Sequence, residues 1–455
     1  MTGRAAGYAL LTSLRIGICL FVLSISLYAQ GRNPIILIPG LTGSELKHKV
    51  TGEKVWFKAL KPKSEDLRLP ISTSIDKMQD DLIPGDIIRE VKIGVFPAAD
   101  VYGGFIRAME MRAGYHEESW KDPSVDGDRD AIYVFAYDWR LDNVANAQRL
   151  VRDVEALKRK LKRPDLKFDI VAHSMGGIIS RYAAMYGDAE LATGNRKPVP
   201  TWAGAKLFDR VILLGTPNEG AVSSLGSMLN GYTMGGLRID LPFIQDSSKF
   251  TVFTIPSAYQ LLPAPGTFRA FDEKLKPISV DLYDPKMWSK YGWNAIEDED
   301  FAGQFILAEQ KIATAYFTAA LERAKRLHGA LAASNGKVGG VSMYLVGSDC
   351  KTALDGVVLY QDGKQWKTLV RPKGFTRADG SRVTDDELKK VMQSAGDGVV
   401  TQRSLESVTR NGAESVLTGQ PSKLVCEEHN KLAANARIQD YIISVLGRKE
   451  TIFGN

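Results

Sequence analysis

Ser174 sits in the stretch Phe168-Asp169-Ile170-Val171-Ala172-His173-Ser174-Met175-Gly176-Gly177. An unbroken apolar run leads into a serine flanked by small residues. A helical pattern follows, with Ile178, Ile179 and Tyr182 on one side and Gly187 at its end. A serine on a sharp strand-to-helix turn has its hydroxyl lifted above the sheet edge, and the first N–H groups of the helix point at an oxygen that becomes negative during attack on a carbonyl. Small neighbours are what such a turn needs, because the helix must pack close to the strand. The usual spacing is Gly-x-Ser-x-Gly; here Ala172 takes the first position, and its methyl is a minor crowding. The chemistry expected is nucleophilic attack on an ester carbonyl through an acyl-serine.

Such a serine needs a base, and the chain has 5 histidines. His48 and His116 precede the serine, and His173 adjoins it at a turn that aims its ring elsewhere, so packing or a hydrogen bond beneath the turn is expected of it. His328 follows Glu322-Arg323-Ala324-Lys325-Arg326, which reads as a solvated helix face. His429 remains, late in the chain and ahead of an amphipathic helix with Ile438, Tyr441, Ile442 and Val445, where the order serine, acid, histidine places a base. The acid that orients it is expected between them. Ser394-Ala395-Gly396-Asp397-Gly398-Val399-Val400 offers Asp397 on a turn that two glycines tighten, and Asp355 is its rival, nearer the preceding apolar run. Two backbone donors are expected for the oxyanion. Met175 N–H is one; Leu41 N–H, in Ile38-Pro39-Gly40-Leu41-Thr42-Gly43-Ser44, is the other.

These residues need a scaffold. Short continuous apolar runs at Pro34 to Ile38, Ala131 to Ala136, Phe168 to Ala172, Arg210 to Gly215 and Val341 to Val346 suit strands covered on both faces. Val144, Ala147, Leu150, Val151, Val154, Leu157 and Leu161 fall at helical spacing between the second and third, with Asp142 or Asn143 as cap and Pro164 beyond the end. Strand, helix and strand in that order predict a doubly wound, mostly parallel α/β sheet. Two stretches break the alternation, at about 44–95 and 221–330, and are expected as cap or lid insertions in one domain spanning 30–455. Within the second, Leu225, Met228, Leu229, Tyr232, Met234 and Leu237 are interrupted by Gly226, Gly231, Gly235 and Gly236. They predict a lid over about 221–259, with a static cap as the alternative.

Net charge is +6 from 59 Lys plus Arg and 53 Asp plus Glu. The densest basic cluster, Lys158-Arg159-Lys160 with Lys162-Arg163, ends a helix where cations favour the dipole, so no nucleic-acid partner is expected. No His and Cys cluster has ligand spacing, so neither metal nor organic cofactor is expected. Arg4 and Arg15 flank an apolar run from Ile16 to Leu27, which predicts a signal peptide over 1–29, cut after Ala29, and a secreted or periplasmic protein. Cys350 and Cys426 are left in the mature chain and allow one disulfide, which would brace the histidine loop; the alternative is two unrelated buried thiols.

Taken together, the motifs resemble the lecithin:cholesterol acyltransferase and lysosomal phospholipase family. The likeness rests on Pro39-Gly40-Leu41-Thr42-Gly43-Ser44-Glu45-Leu46, Tyr137-Asp138-Trp139-Arg140, Ala172 to Gly177, Gly215-Thr216-Pro217-Asn218-Glu219-Gly220, Gly396-Asp397-Gly398-Val399-Val400 and His429, in one order from about Pro34 to Leu446. It implies an α/β-hydrolase fold and an enzyme acting on lipid acyl esters at a membrane or lipid surface, as a phospholipase, lipase or O-acyltransferase. It carries Ser174, Asp397 and His429 over as the triad, favours Asp397 over Asp355, and makes Tyr137 to Arg140 structural support. Two departures stand out. Leu41 replaces an acidic residue of the lysosomal member, and no cysteine matches the early lid disulfide of the vertebrate enzymes. The rival expectations are a hydrolase of soluble non-lipid esters, a peptidase and an inactive binding protein of the same fold.

Overall fold

Seven strands lie side by side in one parallel sheet: β1 (Ile35–Ile38), β2 (His116–Glu118), β3 (Ala131–Val134), β4 (Phe168–His173), β5 (Phe208–Leu214), β6 (Ser342–Gly347) and β7 (Ser422–Leu424). Their order across the sheet is β7-β6-β5-β4-β1-β3-β2, with every neighbouring pair parallel. The computed structural model describes residues 31–57, 67–91, 99–194, 196–233, 246–334, 339–407, 409, 410 and 413–447. The expected signal peptide therefore lies outside the described residues. All five apolar runs are strands of this sheet. The two edge strands, β2 and β7, are short and polar, as unprotected edges tend to be, and carry no apolar run to announce them.

Alternation along β1 shows the layers. Ile36 and Ile38 join the core formed with α2 (Asn143–Lys160), α3 (Met175–Tyr186) and α5 (Leu307–Ala332). Ile35 and Leu37 join the core beneath α1 (Gly103–Ala113) and α6 (Ala436–Leu446). Helices cover both faces, so the sheet is doubly wound and the fold is that of an α/β-hydrolase. Asp142 is the residue that caps α2: its carboxylate accepts the Ala145 N–H at 2.9 Å.

The stretch at 44–95 contributes a three-stranded antiparallel sheet from Ser44–His48, Lys54–Trp56 and Leu82–Ile87. Arg140 ties it down. Its fully buried guanidinium donates to both carboxylate oxygens of Asp80, at 2.6 and 2.8 Å, and to Asp138 at 2.8 Å. Removing the cation would leave Asp138, which is buried, and Asp80, which is mostly buried, without their counter-charge, each keeping only a backbone N–H donor among the described residues. Arg140→Met is therefore expected to destabilise the fold by about 3–5 kcal/mol, the usual effect of breaking a buried pair from one side. The midpoint of urea unfolding measures this; a change under 1 kcal/mol would deny the anchor.

The second insertion holds α4 (Val222–Asn230), short helices at Lys249–Phe253 and Pro256–Gln260, and α5. Its strand Arg269–Phe271 pairs with Gly356–Asp362, which in turn pairs with Gln365–Leu369, so the cap also recruits residues beyond 330. The reading of residues 322–328 as a solvated face needs correction. Arg323 and His328 are both buried, because α5 packs into the cap rather than lying on the surface. Arg323 donates twice to Asp142, at 2.8 Å each, so the carboxylate that caps α2 also fastens α5.

Candidate active site

Three loops at the carboxyl ends of the strands meet above β1, β4 and β5. The register puts Ala172 opposite both Ile38 and Leu213, so the chain leaves three adjacent strands at one level. Ser174 follows at φ 53 and ψ −124, a left-handed conformation that a non-glycine residue adopts at a cost of about 1–3 kcal/mol. Its N–H is secured by Leu214 C=O at 2.8 Å. The glycines after it are required by close approach. A Cβ on Gly176 would strike Pro39 C=O, and one on Gly177 would overlap the Thr216 side chain.

Ser174 Oγ lies 2.9 Å from His429 Nε2, and His429 Nδ1 lies 2.7 Å from Asp397 Oδ2. The other carboxylate oxygen of Asp397 accepts the N–H groups of Val399 and Val400 at 3.0 and 2.7 Å. Burial raises the Asp397 pKa, but the electrostatic pull of the facing His429, its hydrogen bond and those two amides outweigh it, and the carboxyl is held below its usual range. The turn works as its glycines suggest: Gly398 has φ 97, and a Cβ on Gly396 would collide with Val400 C=O. Asp355 is engaged elsewhere. It accepts from Ser394 Oγ at 2.7 Å and Arg403 Nη2 at 3.1 Å and pairs with Arg269, while Arg403 also reaches Glu219.

Met175 N–H opens α3 beside Ser174. On the loop after β1, Gly40 is pressed so close that a Cβ there would meet Ser174 Cβ at 2.8 Å. The Gly40 N–H is already spent on Tyr102 Oη, at 2.8 Å, which makes Leu41 N–H the next donor along the loop. Tyr137 and Trp56 hold this loop from behind: Tyr137 Oη donates to Pro39 C=O at 2.9 Å, and Trp56 Nε1 to Thr42 C=O at 2.9 Å. Tyr137 to Arg140 is thus structural support.

His173 makes hydrogen bonds under the turn. Its Nδ1 is 2.8 Å from Tyr102 Oη and its Nε2 is 3.0 Å from His429 C=O. Burial, together with the nearby His429 charge, pushes its pKa down to about 3, so the ring stays neutral at physiological pH. Tyr102 is the residue that sequence reasoning misses. It stands 72 positions before the serine in no recognisable motif, and only the fold brings it here.

Cys350 and Cys426 form a disulfide with Cα atoms 5.2 Å apart. It joins the segment after β6 to the segment just before His429, and both cysteines are exposed. It closes 76 residues; chain entropy sets an upper figure of about 4–5 kcal/mol for such a loop, and its removal is expected to destabilise the protein by about 2–4 kcal/mol, as bridges typically contribute. The Cys350→Ser, Cys426→Ser double variant should melt several degrees lower and lose kcat, since the histidine loop is freed. An unchanged melting temperature would show that the bridge constrains nothing.

Part of the expected lid, including Met234, Gly235, Gly236 and Leu237, lies outside the described residues. In the described part, α4 turns Val222, Leu225 and Met228 inward, and Tyr232 Oη comes 3.3 Å from Thr42 Oγ1 on the loop after β1. Beside that loop is a cavity of about 40 Å³ with walls that include Leu41, Trp139, Val252, Ile255 and Leu261. A larger hollow of about 470 Å³, between β7 and α6, is lined by Lys423, Arg437 and Tyr441 among others and holds none of the three triad residues.

The sequence model of the lecithin:cholesterol acyltransferase family matches residues 127–299. The resemblance read from the motifs is borne out over that stretch, which contains Tyr137 to Arg140 and Ser174 but neither Leu41, Asp397 nor His429. Among solved structures, a chain of the Tle4–Tli4 complex has 12% identity and a TM-score of 0.53, with 91% of this chain and 98% of that chain covered, a likeness of fold. The mature Bacillus licheniformis lipase BlEst2 has 12% identity and a TM-score of 0.33, with 91% and 92% covered. Phospholipase PlaB from Legionella pneumophila has 11% identity and a TM-score of 0.35, with 92% and 60% covered. No curated protein matches the chain.

Proposed function

From a chain whose residues 127–299 match the lecithin:cholesterol acyltransferase family, we propose a serine-dependent esterase acting on lipid acyl esters, exported from the cytoplasm. The observation that carries this reading is the unbroken line from Asp397 Oδ2 through His429 to Ser174 Oγ, at 2.7 and 2.9 Å. In the reaction, Ser174 Oγ attacks the ester carbonyl carbon as its proton passes to His429 Nε2. Negative charge collects on the carbonyl oxygen, between Met175 N–H and Leu41 N–H. One such donor is worth about 10²–10³ in kcat. His429 then protonates the departing alkoxide and leaves an acyl-serine. Water or another alcohol gives its proton to His429 as its oxygen attacks the acyl carbon, and His429 returns that proton to Ser174 Oγ as the bond from Oγ to the acyl carbon breaks.

The family likeness over residues 127–299 favours a lipid substrate at a membrane or micelle surface. Export is supported by the apolar N-terminal run and by a disulfide that suits an oxidising compartment. Purified protein should be incubated with mixed phospholipid and neutral-lipid vesicles, with and without an alcohol acceptor, and the products weighed by mass spectrometry. Release or transfer of fatty acyl groups is expected. Turnover confined to short soluble esters would replace this reading with that of a soluble-ester hydrolase.

A further inference from the structure

We infer that Tyr102 and His173 are positioning residues that lock the oxyanion loop and the catalytic histidine to the nucleophile turn as one unit. The inference rests on the reading of Ser174, His429 and Asp397 as a working triad.

Donor and acceptor counting fixes the arrangement. Tyr102 Oη accepts the Gly40 N–H at 2.8 Å, so its single proton is left for His173 Nδ1, 2.8 Å away. Nδ1 is therefore an acceptor, and the ring proton sits on Nε2, which donates to His429 C=O at 3.0 Å. The line runs from Gly40 N–H through the phenol and the imidazole to the backbone of His429, and every link has one direction. Tyr102 and His173 are both buried, at 2% and 8% exposure, so water does not replace a lost link at low cost.

Each end of the line holds a catalytic element. At one end, Gly40 precedes Leu41, whose N–H must face the oxyanion. At the other, His429 is gripped on three sides: its N–H by Asp397 C=O at 2.9 Å, its C=O by His173, and its Nδ1 by Asp397 Oδ2. The His173 and His429 rings lie 4.8 Å apart, centre to centre, and Tyr102 meets His173 edge-on at 5.8 Å. The hydroxyl and the ring nitrogens are engaged by Gly40 N–H, by each other and by His429 C=O, so their effect passes through Leu41 N–H and His429.

The test is Tyr102→Phe in the full-length protein, with hydrolysis of a short p-nitrophenyl ester and inhibition by phenylboronic acid, whose tetrahedral serine adduct places an oxygen where the oxyanion forms. Misplacing the loop by a fraction of an ångström should lower kcat about 10- to 100-fold with KM nearly unchanged, and should weaken the boronate by the same factor. A kcat within about twofold of the parent, or a loss carried entirely by KM, would overturn the inference. His173 gives a second route if the phenylalanine variant folds poorly. Asparagine keeps an acceptor for the Tyr102 hydroxyl and leucine keeps none, so His173→Asn should retain clearly more kcat than His173→Leu; equal losses would overturn the coupling. Ser174→Ala run in parallel separates the two levels. A dead Ser174→Ala beside a fully active Tyr102→Phe removes this inference and leaves the triad, whereas an active Ser174→Ala removes both.

Discussion

Ser174→Ala should lose kcat by roughly a millionfold while the protein stays folded. In the proposed reaction the serine supplies the only atom that becomes covalently bound to the acyl group, so alanine would not weaken the route but remove it. What survives is the modest catalysis of an intact oxyanion hole acting on water attack. The fold should tolerate the change, because Ser174 Oγ bonds His429 and is not a support of the turn. The strained φ of 53 is imposed by the strand, the helix and the glycines around it. Steady-state kinetics on a short ester, paired with thermal melting, gives the result. Turnover near the parent's rate by a folded alanine variant would mean that another group attacks the ester.

Asp397→Asn should come next in size, with a loss of about 10⁴ in kcat. Asparagine fits the same space, but it offers an N–H or a neutral oxygen where His429 Nδ1–H needs a carboxylate, so the ring is held in the wrong tautomer and its cation loses its counter-charge. Asp355→Asn should behave differently. Its carboxylate is the hub of Arg269, Arg403 and Ser394, so the change should appear as lost stability with kcat largely kept. Measuring both variants on one substrate decides between them. Equal kcat losses, or a greater one at Asp355, would move the acid's role to Asp355.

Much of the scaffold is legible because it depends on local chemistry. An apolar run buried on both faces has one structural reading when helices flank it, and β1, β3, β4, β5 and β6 all fall on such runs. Small residues around Ser174 and around Asp397 mark tight turns for steric reasons that hold wherever the chain goes. The disulfide partners are the two cysteines left after the first 29 residues. What stays hidden depends on distant partners. Arg323 and His328 look solvated because their neighbours are charged; the Asp142 carboxylate that receives Arg323 is 181 positions away. The edge strands β2 and β7 have no apolar run because an edge need not be buried. Tyr102 stands before an ordinary helix, and its hydroxyl matters only because the fold sets Gly40 on one side and His173 on the other. His173 itself sits in the most readable stretch of the chain, yet its partners are invisible there.

If Ser174 is the nucleophile, it is the residue that a serine-directed reagent labels covalently. Purified protein treated with a fluorophosphonate and digested should yield one modified peptide, with the adduct on Ser174. Labelling should vanish in Ser174→Ala and slow sharply in His429→Ala, since the hydroxyl needs its base. An adduct on a different residue, or an active enzyme that carries no adduct at all, would show that Ser174 is not the nucleophile.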